Sequence, residues 1–247
     1  MYEKMLFGRK VLYFRYAPPL TRLDDVSDGE LPNPPFTNAP PFKRSVFYYW
    51  WAFLKENADY VACCENGGNG PMSDLYRDFA DVRGDDFMTW WSGGGRNLFC
   101  EPPTDQIETF LNLPTEHDNE GRVLLSIPIT TDMERTLAEL RQLLKPLHAK
   151  ARRDGQRTTK ARYPVHTKPV LTSLHQHLKV WQLKKAHPDW TNYQVAVEAG
   201  IGNTSPEDEE CYDHRSPAAS IVGRIHRQAA ALIKNVGQGR FPDMSAA

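Results

Sequence analysis

Arg152, Arg153, Arg157, Lys160, Arg162 and Lys168 crowd into the stretch KARRDGQRTTKARYP and the residues just after it. The chemistry open to such a cluster is electrostatic. Long cationic side chains on a linker-like segment neutralise phosphates, and each phosphate contact steepens the salt dependence of binding by roughly 0.9 in log-log slope. A second set lies in SPAASIVGRIHRQAAALIKN, where Arg224, Arg227 and Lys234 fall on the helical face opposite Ile221, Ile225 and Leu232. Arginines so placed on a recognition helix reach guanine edges or backbone phosphates. The same pattern also describes the solvated face of an amphipathic helix, so the two readings stand side by side.

Other reactive residue types are present without a defining pattern. Asp78, Asp81, Asp85, Asp86 and Glu101 form an acidic run of the kind that holds a divalent cation in a nuclease, although helix capping accounts for Asp85 more simply. His175 and His177 are two apart on an expected helix, which sends them to different faces and argues against a zinc pair. Cys63, Cys64, Cys100 and Cys211 contain no CxxC spacing and read as reduced thiols. Gly93, Gly94 and Gly95 lack the Lys-Ser/Thr of a phosphate loop and read as a turn. The expectation is therefore no catalytic residue, no metal, no cofactor and no enzyme.

The formal net charge of -1 hides a partition along the chain: residues 1–121 sum to -8, residues 122–187 to +10 and residues 188–247 to -3. A basic middle of that size bears on partners rather than on fold, and it favours nucleic acid or an acidic protein surface. Length and a hydrophobic share of 40% allow a real core. The opening MYEKMLFGRK carries charge among its apolar residues, and no apolar run approaches the roughly 20 residues of a membrane span, so a cytoplasmic setting with no membrane partner is expected.

The elements that must position these residues are mostly helical. RKVLYFRY at 9–16 reads as a short strand, and the proline-rich stretch after it as an extended arm over residues 1–44. Ser45 caps a helix running through VFYYWWAFLKENADYVACC. Met72 to Asp81 forms another, and Asp85 caps a third carrying Phe87, Trp90 and Trp91. Residues 123–129 read as the best strand, with Pro128 at its edge. Thr131 then caps a leucine-striped helix that Pro146 should kink or end. After the basic linker, Val170 to Ala186, Asn192 to Ala199 and Ala218 to Val236 read as three helices. Thr191 and the Ser216-Pro217 pair supply the start signals for the second and third. The expected fold is mainly α with a minor β component. It divides into an arm at 1–44, an aromatic-rich helical domain with a strand-helix unit at 45–153, a basic linker at 154–169 and a three-helix, helix-turn-helix-like bundle at 170–247.

The stretch from Tyr49 through Trp50, Trp51, Ala52, Phe53, Leu54, Lys55, Glu56, Asn57, Ala58 and Asp59 to Tyr60 resembles the aromatic-x-FLRxNxxY element of "transcriptional regulator-like" proteins of bacterial mobile elements. Trp90-Trp91, Leu98-Phe99, Glu101-Pro102 and the leucine-rich segment after them follow in the same order, so the resemblance covers about residues 45–150. Lys55 stands where those proteins have Arg. The resemblance implies a mobile-element or phage-related setting and DNA binding, and it assigns no catalytic residue. The first expectation is thus a DNA-binding protein, a transcriptional regulator or accessory factor acting on double-stranded DNA, alone or as a homodimer. The alternative is a noncatalytic subunit of a larger protein or nucleoprotein assembly such as a phage-defence complex, and a metal-dependent nuclease stands third.

Overall fold

The computed structural model describes residues 12–19, 25–27, 32–101, 123, 125–153, 159–202 and 216–245. They form β1 (Leu12–Phe14), β2 (Asp25–Ser27), α1 (Val46–Lys55), α2 (Ala58–Glu65), α3 (Ser73–Phe79), α4 (Phe87–Gly93), α5 (Met133–Arg153), α6 (Leu171–Ala186), α7 (Asn192–Ala199) and α8 (Pro217–Val236). The fold is mainly α with a minor β component. One unit comprises Met1–Asp105 and Ala161–Ala247, and a second comprises Gln106–Lys160.

In the first unit α1 is the centre. Ser45 starts it as expected, accepting the Phe47 N–H on its hydroxyl while donating to the Ala17 carbonyl at 3.0 Å, which ties the arm to the helix start. The helix is apolar nearly all round and is correspondingly buried from Val46 to Leu54 except at Tyr48. Trp50 lies among Phe79, Phe99, Tyr163 and Phe241 with ring centroids 5.2–6.3 Å away. Among the described residues the indole N–H groups of Trp50 and Trp51 and the Tyr49 hydroxyl are buried and meet no hydrogen-bond partner. Each costs about 1–3 kcal/mol. Burying a ring of roughly 200 Å² contributes about 5 kcal/mol, so the aromatic core tolerates them.

The long helix expected from Ser45 breaks in two. Asn57 turns its side chain back to accept the Tyr60 N–H at 2.9 Å and starts α2, while its amide donates to the Ile233 carbonyl of α8 at 2.8 Å. Two expected caps also move by one residue. Asp86, not Asp85, accepts the Thr89 N–H to begin α4, and Asp132, not Thr131, accepts the Arg135 N–H at the start of α5.

The C-terminal helices follow their start signals closely. Thr191 and Gln194 form a reciprocal capping box on α7, Gly200 ends it in the left-handed region, and Ser216 with Pro217 opens α8. Val180, Val195, Ala196, Ile201, Ala218, Val222 and Ile225 make the local core of this three-helix group. The group is not a separate domain. Ala229, Leu232, Ile233, Val236 and the tail residue Phe241 belong to the same buried cluster as α1, so the expected division between 45–153 and 170–247 gives way to one shared core.

The short strand expected within residues 9–16 is present as β1, whereas the strand expected at 123–129 is not. β1 pairs in parallel with β2, Leu12 opposite Asp25 and Phe14 opposite Ser27, and Phe14 also bridges Cys100. Residues 125–128 are irregular, and Val123, Leu125, Ile127 and Ile129 are exposed, the last at 96%. A strand needs a neighbour to satisfy its backbone groups, and Pro128 removes one donor outright. The alternation of apolar residues met no ladder among the described residues. In the second unit α5 follows this segment as a helix of 21 residues.

Candidate nucleic-acid interface

The expected phosphate contacts separate into three environments. Arg152 and Arg153 end α5 in the second unit, and their side chains, like the whole of Arg157, lie outside the described residues. Lys160 is exposed in that same unit. Arg162 and Lys168 belong to the first unit, where residues 161–169 are not a free linker. The Tyr163 N–H donates to the Leu98 carbonyl at 3.0 Å, the His166 N–H to the Phe241 carbonyl at 3.0 Å, and Val165 bridges Phe241 and is buried.

Arg162 is committed to an internal partner. Its guanidinium lies 2.7 Å from the carboxylate of Asp78, whose side chain is only 9% exposed. The same carboxylate accepts the Tyr163 hydroxyl at 2.6 Å. Burial, and then the hydrogen bond to Asp78, push the Tyr163 phenol up to about 12, so it stays a neutral donor. A carboxylate so enclosed needs its cation, and an arginine holding it is poorly placed to meet a phosphate.

Several other charges of the basic middle also brace the fold. Lys185 pairs with Glu56 of the α1 C-cap at 2.9 Å, and Gln182 donates to the same carboxylate at 3.0 Å. Burial alone would raise Glu56, but these two donors outweigh it and hold the group below the usual carboxylate range. Lys184 donates to the Trp190 carbonyl at 2.9 Å and Lys179 to the Glu198 carbonyl at 2.8 Å, satisfying backbone acceptors around α7.

Arg224, Arg227 and Lys234 have a different setting. All three are exposed on α8, spaced three and seven residues apart on one stripe with Ser220, while Val222, Ile225, Ala229 and Leu232 on the other side are buried. Among the described residues none of these three, nor Lys168, is held in an ion pair, whereas Arg162 and Lys185 are. Buried packing on one face of α8 thus fixes the direction in which three unneutralised cations point. At Gly223 α8 runs beside Asn192 of α7, and a Cβ there would make only ordinary contacts, 3.5 Å from the Asn192 amide and 3.9 Å from the Arg227 guanidinium. The connection between α7 and α8 runs from Gly200 to Ser216, far longer than the turn of three or four residues in a helix-turn-helix.

The carboxylates proposed for a cation do not converge. Asp78 serves Arg162 and Tyr163, Asp81 pairs with Arg83 at 2.6 Å, Asp85 with Lys55 at 2.8 Å, and Asp86 caps α4. Hydrogen bonds from Arg83, Lys55 and Thr89 hold Asp81, Asp85 and Asp86 respectively below the ordinary range, as expected of carboxylates with partners. Among the described residues no group of three His, Cys, Asp or Glu side chains converges on one point. His177 is buried and bonded to the Ser173 carbonyl and Gln228, while His175 lies on the Phe36 ring at 4.5 Å, so the two face different surroundings.

One feature escaped the sequence reading. An open cleft of about 650 Å³ is lined by Phe42, Lys43, Tyr48, Trp51, Lys55 and Asp85 among others. Its cations are engaged already: Lys43 lies 5.6 Å over the Tyr48 ring and Lys55 4.6 Å over the Trp51 ring. The sequence signal was Lys55 one turn after Trp51 on α1, where the lysine covers the buried indole. The chain matches no known family model, no curated protein and no solved structure.

Proposed function

We propose that this chain is a DNA-binding protein, a regulatory or accessory factor, that meets the phosphate backbone of double-stranded DNA through the exposed stripe of α8. Lys168, exposed in the same unit, adds to the positive charge. The observation that carries the reading is the contrast in how the cations are used. Arg162 and Lys185 are neutralised by enclosed carboxylates, whereas Arg224, Arg227 and Lys234 project together from a helix whose opposite face is locked in the core. Unneutralised cations held in register on a rigid element lose little freedom when phosphates bind them.

The test is fluorescence-anisotropy binding to mixed-sequence double-stranded DNA over a salt series. The wild type is compared with a triple variant, Arg224→Gln, Arg227→Gln and Lys234→Gln, and with Arg162→Gln. The expected outcome is steep salt dependence in the wild type and a log-log slope lower by up to about 2.7 in the triple variant, three contacts at roughly 0.9 each. Arg162→Gln should leave the slope unchanged. If the wild type does not bind DNA at low salt, or if the triple variant binds with an undiminished slope, the reading is abandoned.

A further inference from the structure

α5 displays a regular apolar seam. Met133, Leu137, Leu140, Leu144 and Leu147 follow one another at alternating spacings of four and three, and Ala151 occupies the next place. This is the 3.5-residue repeat of a coiled coil, sustained over three heptads. On the seam Met133 is 74%, Leu147 43% and Leu137 40% exposed, and Leu140 and Leu144 between them are half-buried, so the described residues leave much of the seam open. The outer face is polar, with Arg135 and Glu139 paired along it at 3.0 Å. Pro146 also falls away from the seam, where its ring does not obstruct a partner helix.

Charge is sorted along the same helix. Residues 132–140 carry three acidic residues and one base, whereas residues 141–153 carry five bases and no acid. A helix of this polarity is complementary to itself only when reversed. Parallel pairing would lay five cations beside five cations. Antiparallel pairing lays the acidic start of each helix on the basic end of the other and also opposes the macrodipoles favourably.

We infer that α5 is a self-association surface on which a second copy of this chain docks as an antiparallel two-helix coiled coil. The register places Leu137 opposite Leu147 of the second copy and Leu140 opposite Leu144, with the two-fold axis near Gln142. Leu143 then meets its own counterpart on one flank of the axis and Arg141 its own on the other, so the basic flank contributes a like-charge pair that salt screens. The inference does not depend on nucleic-acid binding.

The experiment is sedimentation velocity on the full chain at micromolar concentration, with thiol crosslinking to read direction. The wild type is expected at twice the chain mass, and a Leu140→Lys, Leu144→Lys variant at the monomer mass. Leu140→Met should remain dimeric. All six tryptophans lie outside residues 106–160, so unchanged tryptophan emission in the lysine variant confirms that the first unit is still folded. In a Cys100→Ser, Cys211→Ser background, a short bifunctional maleimide should join copies of Leu143→Cys. It should not join copies of Met133→Cys, whose partners lie about 27 Å apart along the axis. A monomeric wild type overturns the proposal, and efficient crosslinking through Met133→Cys overturns the antiparallel pairing.

Discussion

Asn57 and Gly237 illustrate how single residues join distant parts of this chain. The Asn57 side chain caps α2 and reaches the Ile233 carbonyl on α8, and a Cβ on Gly237 would stand 2.5 Å from the Asn57 amide nitrogen. Gly237 has an ordinary helical φ of -64°, so its requirement is space and not conformation. Gly237→Ala is expected to cost about 1–3 kcal/mol through overpacking. Asn57→Ala is expected to cost about 1–2 kcal/mol through the lost cap. Because the added methyl and the amide contend for one site, the double variant should lose at least about 0.5 kcal/mol less than the sum. Urea denaturation of all four proteins measures this, and strict additivity would show that Gly237 is not there to admit Asn57. The sequence marked Asn57 only as an interior residue of one long helix. Its role is invisible locally because its partner is 176 residues away.

At the scale of elements, the junction after α3 is held by its neighbours. Tyr60 of α2 donates to the Ala80 carbonyl and Trp90 of α4 to the Phe79 carbonyl, both at 2.7 Å, so side chains from two other helices satisfy acceptors at the end of α3. Burial drives the Tyr60 phenol far above its ordinary value and keeps it a donor. Ala80 itself sits at φ 54°, ψ -158°, a region that essentially only glycine occupies without strain. Ala80→Gly should therefore stabilise the protein by roughly 1 kcal/mol, seen as a higher urea midpoint with an unchanged slope. A lower midpoint would mean that the backbone there is relaxed. Helix starts that rest on local side-chain chemistry, such as Ser45, Thr191 and Ser216, stood out in the sequence, whereas the shift from Asp85 to Asp86 did not. Lys55 draws Asp85 away from the cap, and that lysine is 30 residues distant.

At the scale of the whole molecule, pH should reveal two rings packed against aromatic surfaces. His226 stacks on Trp181 at 5.1 Å and His175 lies tilted over Phe36, and burial, followed by nearby lysines, lowers both from the ordinary 6.5. The unfolded chain takes up protons near that value while the folded chain resists them. Stability is therefore full above it and falls as the solution is acidified through the lower folded values. Urea midpoints taken from about pH 7.5 to about pH 5.5 should decline before the carboxylates titrate, and His226→Phe should shallow the decline; a flat profile would refute it. The sequence by itself determined the helical class, the caps that start α7 and α8, the glycine that stops α7, and the basic middle of the chain, because periodicity, capping and charge are properties of neighbours. Only the tertiary structure decided that the aromatic helices and the C-terminal helices share one core. It also decided that Arg162 is bound to Asp78 while Arg224, Arg227 and Lys234 are not, and that residues 125–128 form no strand. Those outcomes depend on which partner lies across space, and side-chain pairing and strand ladders are fixed by long-range packing that no local pattern encodes.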